Sequence, residues 1–520
     1  MQTSANERKP LLRISNLKQY FPLKKKGLYV KANDGITLDI YEGETLGLVG
    51  ESGCGKSTLG RTLLQLYRQT DGRTMYYGRT LDDMAPKYMG ETIRTLGKRR
   101  EKLKQLEARR EALEKEYDAM PDDKAKYAKF NEVEHARKEA NDAFLDMANL
   151  VGGFMMVDNL APVTEIFTKL YNLSRKRVAA EEREADKKLN LEDARFALEK
   201  ARKAGENTAA HEKQAARCQA EDDKVKAEIA AIVKEIKLVE AQIDDMRKPY
   251  ADNAEFQRLE AYRDDGIDLA RLEYNEIRRL RSDLQMIFQD PYSSLNPRMT
   301  VGQIISEGML AHKQFKKSDD RLQEAVLKVM DDAGLAAYFV HRYPHQFSGG
   351  QRQRIGIARS LAVKPKFVVC DEAVSALDVS IQSQIINLLK DLKDQQNLTY
   401  LFITHDLSVV KYISDRIGVM YLGNIVELAD AQELFDHPYH PYTEALMNAI
   451  PTTDVDSGRE IQILEGDIPS PVNPPAGCKF HTRCKYCTEI CKHQIPQWRE
   501  ISPNHFVACH HILGGEEETK

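Results

Sequence analysis

The 520-residue chain lacks the segments that carry proteins into or across membranes. It has no run of about 18 consecutive apolar residues, the length that a membrane-spanning helix needs. Its start, Met1 to Pro10, has no apolar stretch of the kind found in a secretory signal. We therefore expect a cytosolic chain without a signal peptide or a transmembrane segment.

The chain also lacks a surplus of one charge. Its 76 Lys and Arg residues are matched by 80 Asp and Glu residues, which leaves a formal net charge of −4. Proteins that bind nucleic acid through their overall basicity carry a positive surplus, so we expect no nucleic-acid partner. The length suits several domains, and a hydrophobic content of 42% is enough to build their cores.

Cysteine is scarce except near the C-terminus. Three of the eight cysteines are scattered along the chain: Cys54, Cys218 and Cys370. The other five lie close together at the C-terminal end: Cys478, Cys484, Cys487, Cys491 and Cys509. In a cytosolic protein such a cluster indicates metal binding rather than disulfide bonds.

Composition divides the chain into four segments. Short apolar runs and glycine-rich turns, typical of an α/β fold, fill residues 11–83 and return in residues 278–450. Between them, residues 84–277 are rich in Lys, Glu, Arg and Ala. A proline-rich linker leads into the cysteine cluster within residues 451–520. We therefore expect an α/β domain that is interrupted by a helical insertion and followed by a small Cys-rich extension.

The insertion carries the spacing of a coiled coil. Apolar side chains recur at alternating steps of four and three residues, which is the heptad pattern of packed helices. We expect antiparallel helices in a hairpin or small bundle. Two interpretations stay open: a solvated insertion without chemistry, and an arm that docks a partner. The clearest heptad series is Val225, Ile229, Ile232, Ile236, Val239, Ile243 and Met246.

A glycine-rich segment follows the apolar run of residues 45–49. It matches the phosphate-loop pattern G-x-x-x-x-G-K-[ST] in full and precedes a segment with helical character. Backbone amides of such a loop wrap phosphate oxygens, and the helix N-terminus adds a favourable dipole. Lys56 is expected to reach the β- and γ-phosphates, and Ser57 to ligate Mg²⁺. The predicted ATP-binding residues here are Gly50, Glu51, Ser52, Gly53, Cys54, Gly55, Lys56, Ser57 and Thr58.

A second apolar run, residues 367–370, ends in two carboxylates, Asp371 and Glu372. An aspartate at the end of a buried strand can hold the metal ion of a phosphate site. A glutamate at the next position is placed to orient or deprotonate the attacking water. Together with the phosphate loop, this pair predicts an ATPase that uses Mg²⁺.

Four further segments resemble motifs of the ATP-binding-cassette (ABC) ATPases and occur in that family's order. Gln289 resembles the glutamine of the Q-loop, Asp378 the aspartate of the D-loop, and His405 the switch histidine. The segment F-S-G-G-Q resembles the signature motif, with Ser348, Gly349, Gly350 and Gln351 as its contact residues. The resemblance implies a P-loop NTPase cassette with a RecA-like core, an antiparallel β subdomain and a helical subdomain.

The same resemblance implies roles for these residues. Glu372 would be the general base and His405 the sensor of the γ-phosphate, while Asp371 and Gln289 would be neighbours of Mg²⁺. Cassettes of this family face each other head to tail, so the signature motif would contact ATP held by a partner's phosphate loop. The implied catalytic set is Lys56, Gln289, Glu372 and His405. Three aromatic residues compete to stack on adenine: Tyr20, Phe21 and Tyr29.

Residues 288–298 and 437–443, with the cysteine cluster, resemble the oligopeptide/dipeptide importer subfamily, and more closely its second ATP-binding subunit, the OppF/DppF type. This implies a peripheral subunit at the cytoplasmic face of the cell membrane that hydrolyses ATP to energise peptide import. The implied partners are a related second ATPase subunit or a second copy of this chain, two membrane permease subunits and, indirectly, an extracytoplasmic substrate-binding protein. Nickel and saccharide importers use similar cassettes and stay open as alternatives.

A coiled-coil ATPase of chromosome maintenance is an alternative from another class. In that group the coil lies between the Q-loop and the signature motif, whereas here the insertion precedes Gln289. The segment between Gln289 and Ser348 has the length of an ordinary helical subdomain. The sequence therefore favours the importer.

The spacing of Cys478, Cys484, Cys491 and Cys509 resembles the C-terminal pattern of the importer subfamily, which in relatives is associated with a 4Fe–4S cluster. Four thiolates can equally enclose a tetrahedral Zn²⁺. Cys487 departs from the pattern and forms a C-x-x-C pair with Cys484, which makes zinc more plausible. Iron–sulfur, zinc and metal-free thiols therefore all stay open.

Overall fold

The computed structural model describes residues 8–25, 27–121, 124–316, 320–449, 464 and 466–514. Its strands form two sheets that lie side by side in the cassette. The strands in chain order are β1 (Pro10–Pro22), β2 (Tyr29–Tyr41), β3 (Thr45–Val49), β4 (Asp71–Tyr76), β5 (Ile267–Asp268), β6 (Leu284–Ile287), β7 (Phe367–Asp371), β8 (Thr399–Ile403), β9 (Arg416–Tyr421), β10 (Asn424–Asp430), β11 (Arg499–Ser502) and β12 (His505–Val507).

Helices surround both sheets, and the mixed α/β content predicted from the sequence is confirmed. The helices in chain order are α1 (Lys56–Leu63), α2 (Leu81–Met84), α3 (Lys87–Arg94), α4 (Leu96–Ala119), α5 (Lys124–Val151), α6 (Ala161–Lys203), α7 (Ala209–Arg247), α8 (Ala254–Glu260), α9 (Tyr274–Leu280), α10 (Pro291–Ser294), α11 (Val301–Ala311), α12 (Asp320–Asp332), α13 (Gly349–Leu361), α14 (Val379–Gln396), α15 (Leu407–Ile413), α16 (Ala431–Asp436), α17 (Pro441–Asn448) and α18 (Glu489–His493).

The larger sheet has the strand order β11-β12-β10-β9-β3-β8-β7-β6. Strands β6, β7, β8, β3 and β9 are parallel, whereas β10, β12 and β11 extend the sheet in antiparallel pairs. Every residue of β3, β7, β8 and β9 is buried. This explains their continuous apolar sequences, because parallel strands are covered on both faces. The carboxyl ends of these strands meet at one edge, where the phosphate loop and Asp371 lie.

The smaller sheet is antiparallel, with the order β2-β1-β4-β5. Strand β5 pairs with β4 through Ile267 and Tyr76. The sequence placed residues 84–277 in the insertion, but β5 lies inside that range and belongs to this sheet of the cassette. Two residues are too few to show a strand periodicity, so the pairing partner alone defines this strand. We call α2 to α8 the inserted helices.

The inserted helices include two long antiparallel pairs. Cross-pair contacts fix their direction: Arg109 in α4 contacts Glu139 in α5 at 3.1 Å, and Arg183 in α6 contacts Glu228 in α7 at 2.7 Å. Helix α6 has 43 residues, which corresponds to about 65 Å at the usual rise per residue. Of the heptad series in α7, Val225, Ile236, Val239 and Ile243 are buried.

The base of the inserted helices shares a core with the cassette. One apolar cluster runs from Leu46 in β3 and Leu12 in β1 to Phe154, Phe167 and Ile236 of the insertion. A separate small cluster joins α6 and α7 farther out, at Leu191, Ala194, Ala215 and Cys218. The insertion therefore merges with the cassette at its base and has a separate apolar cluster in the distal hairpin.

The middle of α6 lies along the helical subdomain, which is formed by α11, α12 and α13. Asp186 accepts from Lys313 at 2.8 Å, and Asp193 contacts Lys316 at 2.6 Å and Arg321 at 2.9 Å. The long hairpin is thus tied to the cassette along its side. Within the described ranges, no helix combines the length and the apolar character needed to cross a membrane.

Residues 437–449, 464 and 466–514, the described chain after α16, form a segment that we call the tail. Its strand β12 pairs with β10 and so extends the larger sheet. The buried His505 contacts the buried Glu427 of β10 at 2.8 Å. Phe480 packs in an apolar cluster with Tyr421 and Tyr442. The tail is therefore anchored through buried contacts.

Candidate functional site

The phosphate loop connects β3 to α1 with glycines at positions that exclude side chains. Gly50 has φ +148° and an added Cβ would lie 2.1 Å from the carbonyl oxygen of Met420. Gly55 has φ +108° and its Cβ would lie 2.2 Å from the carbonyl oxygen of Ala32. Both positions therefore require glycine. The sequence predicted a phosphate loop from its spacing, and residues 50–55 connect β3 to α1, whose first turn contains Lys56, Ser57 and Thr58.

Lys56 reaches back into the curve of this loop. Its ammonium donates to the carbonyl oxygens of Gly50 at 2.7 Å and Glu51 at 3.0 Å, and its side chain is buried. A cation at this place, with the N-terminus of α1 beside it, favours binding of phosphate anions.

Ser57 and Asp371 meet although they are far apart in the sequence. The Ser57 hydroxyl donates to Asp371 Oδ1 at 2.5 Å, and Arg61 contacts Asp371 Oδ2 at 3.3 Å. Asp371 is fully buried at the end of β7. A hydroxyl and a carboxylate are the hard oxygen ligands that Mg²⁺ prefers beside a nucleotide. The residues therefore fit Mg²⁺, with Ser57 and Asp371 as the residues that would hold it.

Glu372, Gln289 and His405 come together beside this pair. Gln289 Nε2 donates to Glu372 Oε2 at 2.6 Å, and His405 Nδ1 lies 3.7 Å from Glu372 Oε1. The Glu372 amide donates to the carbonyl oxygen of Ile403 at 2.9 Å. Its φ of +47° is an uncommon conformation for a glutamate and occurs where a site holds a side chain in one direction. The cluster places one carboxylate between an amide and an imidazole at the edge of the sheet.

The signature residues form the N-terminus of α13. Ser348 caps this helix: its Oγ accepts from the Gln351 amide at 3.4 Å, and Gln351 Oε1 accepts from the Ser348 amide at 3.2 Å. Ser348 and Gly349 are exposed, and so is Asp378 at the start of α14. An exposed helix N-terminus can bind the phosphates of a nucleotide on another chain.

The three candidate adenine-stacking aromatics lie at one end of the β1–β2 pair. The Tyr20 hydroxyl donates to Asp34, and Phe21 makes an edge contact with Tyr67. Tyr29 is 45% exposed. Tyr20 and Phe21 thus have contact partners on the same chain, whereas Tyr29 is among the exposed large hydrophobic residues.

Four of the clustered cysteines line one small cavity in the tail, and Cys487 lies outside it. Burial raises the pKa of Cys478 to about 11 and that of Cys509 to about 12. Within the part of the chain that the structure describes, no group of three or more His, Cys, Asp or Glu side chains is arranged to ligate a metal ion. The thiol chemistry therefore fits iron–sulfur or zinc, but the sulfur atoms are not at ligation geometry. The four lining residues are Cys478, Cys484, Cys491 and Cys509.

The sequence analysis missed the contacts between the tail and the phosphate loop. Arg483 makes two contacts with the carboxylate of Glu51, at 2.7 and 3.0 Å, and the hydroxyl of Tyr442 accepts from the Glu51 amide at 3.0 Å. Lys479 contacts Asp34 of β2 at 2.9 Å. No local sequence pattern predicts these pairs, because Arg483 lies between the cysteines of the tail and is far from residue 51 in the chain.

Histidines of the tail have structural roles. The fully buried His440 caps α17: its Nδ1 accepts from the Tyr442 amide at 3.0 Å. Burial lowers its pKa to about 4, so this imidazole is neutral near pH 7. A neutral ring is what the acceptor role requires.

Comparison with known families agrees with the geometry. A profile described as "ABC transporter" matches residues 33–248 and 258–375, and one described as "Oligopeptide/dipeptide transporter, C-terminal region" matches residues 426–491. The fold and the site thus define an ATP-hydrolysing cassette. This chain belongs to the ABC transporter family of ATPases and carries an oligopeptide/dipeptide transporter C-terminal region.

Three relatives differ in how much of the chain they cover. The putative oligopeptide transport ATP-binding protein YkfD of Bacillus subtilis is 35% identical over 515 residues, 99% of each chain. AppF of the same organism, an oligopeptide transport ATP-binding protein, is 52% identical over 250 residues, 47% of this chain and 75% of its own. OppF of Haemophilus influenzae, with the same description, is 49% identical over 250 residues, 48% of this chain and 75% of its own. The similarity to YkfD includes the inserted helices, since it spans almost all of both chains.

Proposed function

We propose that this chain is the ATP-hydrolysing subunit that energises import of oligopeptides or dipeptides through a membrane permease. The single observation that carries the proposal is the combination of a complete cassette site with a tail that matches the oligopeptide/dipeptide transporter C-terminal region. Relatives described as oligopeptide transport ATP-binding proteins support the choice of cargo.

The residues of the predicted ATP site have different roles in hydrolysis. Lys56 and the loop amides bind the β- and γ-phosphates, with Ser57 and Asp371 holding Mg²⁺, which supplies neutralisation of the phosphate charge. Glu372 orients and deprotonates the attacking water. Gln289 and His405, both beside Glu372, orient its carboxylate and contact the γ-phosphate side of the site.

The signature residues complete the site of a second cassette. Ser348, Gly349 and Gly350 would contact ATP held by the partner's phosphate loop, with the N-terminus of α13 favouring its phosphate charge. The partner is a related ATPase subunit, with a second copy of this chain as the alternative. The assembly sits on two permease subunits at the cytoplasmic face of the membrane. The exposed segment of residues 290–298 is the proposed contact with the permease.

The two additions to the cassette have proposed roles of their own. Cys478, Cys484, Cys491 and Cys509 would hold a 4Fe–4S cluster, with Zn²⁺ as the alternative, and such a group would have a structural role in ordering the tail. For the helices α4 to α7 both interpretations stay open: a solvated coiled-coil insertion without chemistry, and an arm that docks a partner. Neither role takes part in the chemistry of hydrolysis.

Gentle purification of the native protein from membranes tests the assembly. We expect two permease subunits and a second cassette ATPase to co-purify, and a Glu372→Gln variant to bind ATP without hydrolysing it. Glu324→Gln, which alters an exposed carboxylate of α12, is the matched control and keeps wild-type hydrolysis. Recovery only in the soluble fraction, bound to DNA, would contradict the transport function.

A further inference from the structure

Glu51 of the phosphate loop is held from outside the nucleotide-binding fold. The Arg483 guanidinium makes two contacts with its carboxylate, at 2.7 and 3.0 Å. The Arg483 side chain is 4% exposed and the Glu51 side chain 24% exposed, so the guanidinium is buried and the carboxylate is partly shielded from water and salt. A two-point guanidinium–carboxylate contact fixes orientation as well as distance.

The backbone of Glu51 is held at the same time. Its amide donates to the Tyr442 hydroxyl at 3.0 Å, and its carbonyl oxygen accepts from the Lys56 ammonium at 3.0 Å. Tyr442 is fully buried and packs against Phe480, with ring centroids 5.3 Å apart. One residue of the loop therefore links Lys56, which binds phosphate, to two side chains of the tail.

The position of Arg483 depends on the fold of the cysteine loop. Its amide donates to the carbonyl oxygen of Phe480 at 3.0 Å, and Cys484 follows it directly in the chain. The Cys478 amide donates to the carbonyl oxygen of Cys491 at 2.8 Å, which closes the loop that carries Arg483. Arg483 therefore lies in the same closed loop as Cys478, Cys484 and Cys491.

We propose that the tail positions the phosphate loop, with Arg483 as the positioning residue, and that the order of the cysteine loop sets the affinity for ATP. The inference rests on the assignment of residues 50–58 as the ATP-binding loop. The two guanidinium contacts of Arg483 are with the Glu51 carboxylate and not with Lys56 or Ser57. Arg483 acts by holding Glu51 and, through the carbonyl oxygen of Glu51, the Lys56 ammonium.

The test measures ATP binding by calorimetry and steady-state hydrolysis on the full chain. Arg483→Ala is expected to raise Kd and KM for ATP about tenfold, because a partly shielded charge-assisted contact is lost, while kcat changes less than about twofold. Arg483→Lys recovers part of the affinity, since it restores the charge without the two-point geometry. The matched control is Lys485→Ala, two positions after Arg483 in the chain. This variant removes a contact with Glu444 at 2.9 Å and is expected to keep wild-type affinity for ATP.

A second pair of variants separates positioning from simple loss of folding. Tyr442→Phe removes one hydroxyl from a packed ring and is expected to weaken ATP binding about threefold without unfolding the chain. Cys491→Ser is expected to weaken ATP binding in the wild-type background but to add nothing in the Arg483→Ala background. Unchanged affinity in both Arg483→Ala and Tyr442→Phe would overturn the proposal. If the wild-type chain binds no ATP, the assignment of residues 50–58 fails, and the proposal fails with it.

Discussion

The cassette carries two additions, and they are attached in different ways. The tail is held by buried polar contacts, such as His505 with Glu427 at 2.8 Å, and it reaches the phosphate loop through Arg483. The inserted helices share an apolar core with the cassette at their base, but farther out they are joined to it by partly exposed ion pairs such as Lys313 with Asp186. The two additions therefore differ in how deeply the contacts that join them to the cassette are buried.

This difference predicts how each addition tolerates change. Buried ion pairs are costly to break, because the remaining charge loses its partner away from water. Exposed pairs contribute little, because water and salt screen them. Substitutions in the tail should therefore affect stability and ATP binding strongly, and substitutions in the distal hairpin should affect them weakly.

The largest effect is expected at the junction between the tail and β10. His505→Ala leaves the buried carboxylate of Glu427 without its imidazole partner and should reduce the free energy of unfolding by about 2–4 kcal/mol. Denaturant titration followed by circular dichroism measures it. Lys492→Ala, which removes an exposed contact with Glu489, is the control and should change stability by less than about 0.5 kcal/mol.

Lowering the pH should reduce the stability of the tail, because the buried His440 is neutral in the folded chain. Because burial lowers its folded pKa to about 4 from 6.5, the unfolded chain binds the extra proton between these values. Its contribution is fully present above pH 6.5 and decreases as the pH falls toward 4, by about 3 kcal/mol in total. His440→Asn keeps an acceptor for the Tyr442 amide and should flatten the slope of stability against pH. An unchanged slope in this variant would show that other groups cause the acid sensitivity.

The base of the insertion should show an intermediate effect. Asp146 contacts Arg73 at 2.9 Å, Arg271 at 2.9 Å and Arg99 at 3.3 Å, and the Arg73 side chain is only 9% exposed. Asp146→Ala should therefore cost about 1–3 kcal/mol in thermal or denaturant unfolding. Glu228→Ala, which breaks an exposed pair of the distal hairpin, should cost less than about 0.5 kcal/mol. An equal loss of unfolding free energy in Asp146→Ala and Glu228→Ala would contradict the expected difference between the base of the insertion and its hairpin.

The smallest effect is expected from shortening the distal hairpin. Replacing residues 197–214 by a short glycine-serine linker joins α6 and α7 where they already lie side by side. ATP affinity and hydrolysis should stay within about twofold of wild type, since loop closure costs little at this length. A loss of ATP binding would show that the hairpin tip supports the cassette directly.

Whether a part of the site could be predicted from the sequence depends on how far apart in the chain the interacting residues are. The glycine pattern of residues 50–57 encodes the phosphate loop locally, and the ends of parallel strands bring Asp371 and His405 to the same edge. The end of the insertion was misplaced, because β5 is a strand only by pairing with β4. The Arg483–Glu51 pair was missed because it joins residues 432 positions apart that share no local pattern.

Peptide uptake by the reconstituted transporter is the direct test of whether this chain hydrolyses ATP to energise peptide import. The chain would be assembled in vesicles with the proposed permease subunits and the proposed second ATPase, and uptake of a labelled oligopeptide measured after addition of ATP. We expect ATP-dependent uptake with the wild-type chain and loss of uptake with Glu372→Gln, although that variant still binds ATP. Wild-type uptake by the Glu372→Gln transporter would contradict this expectation.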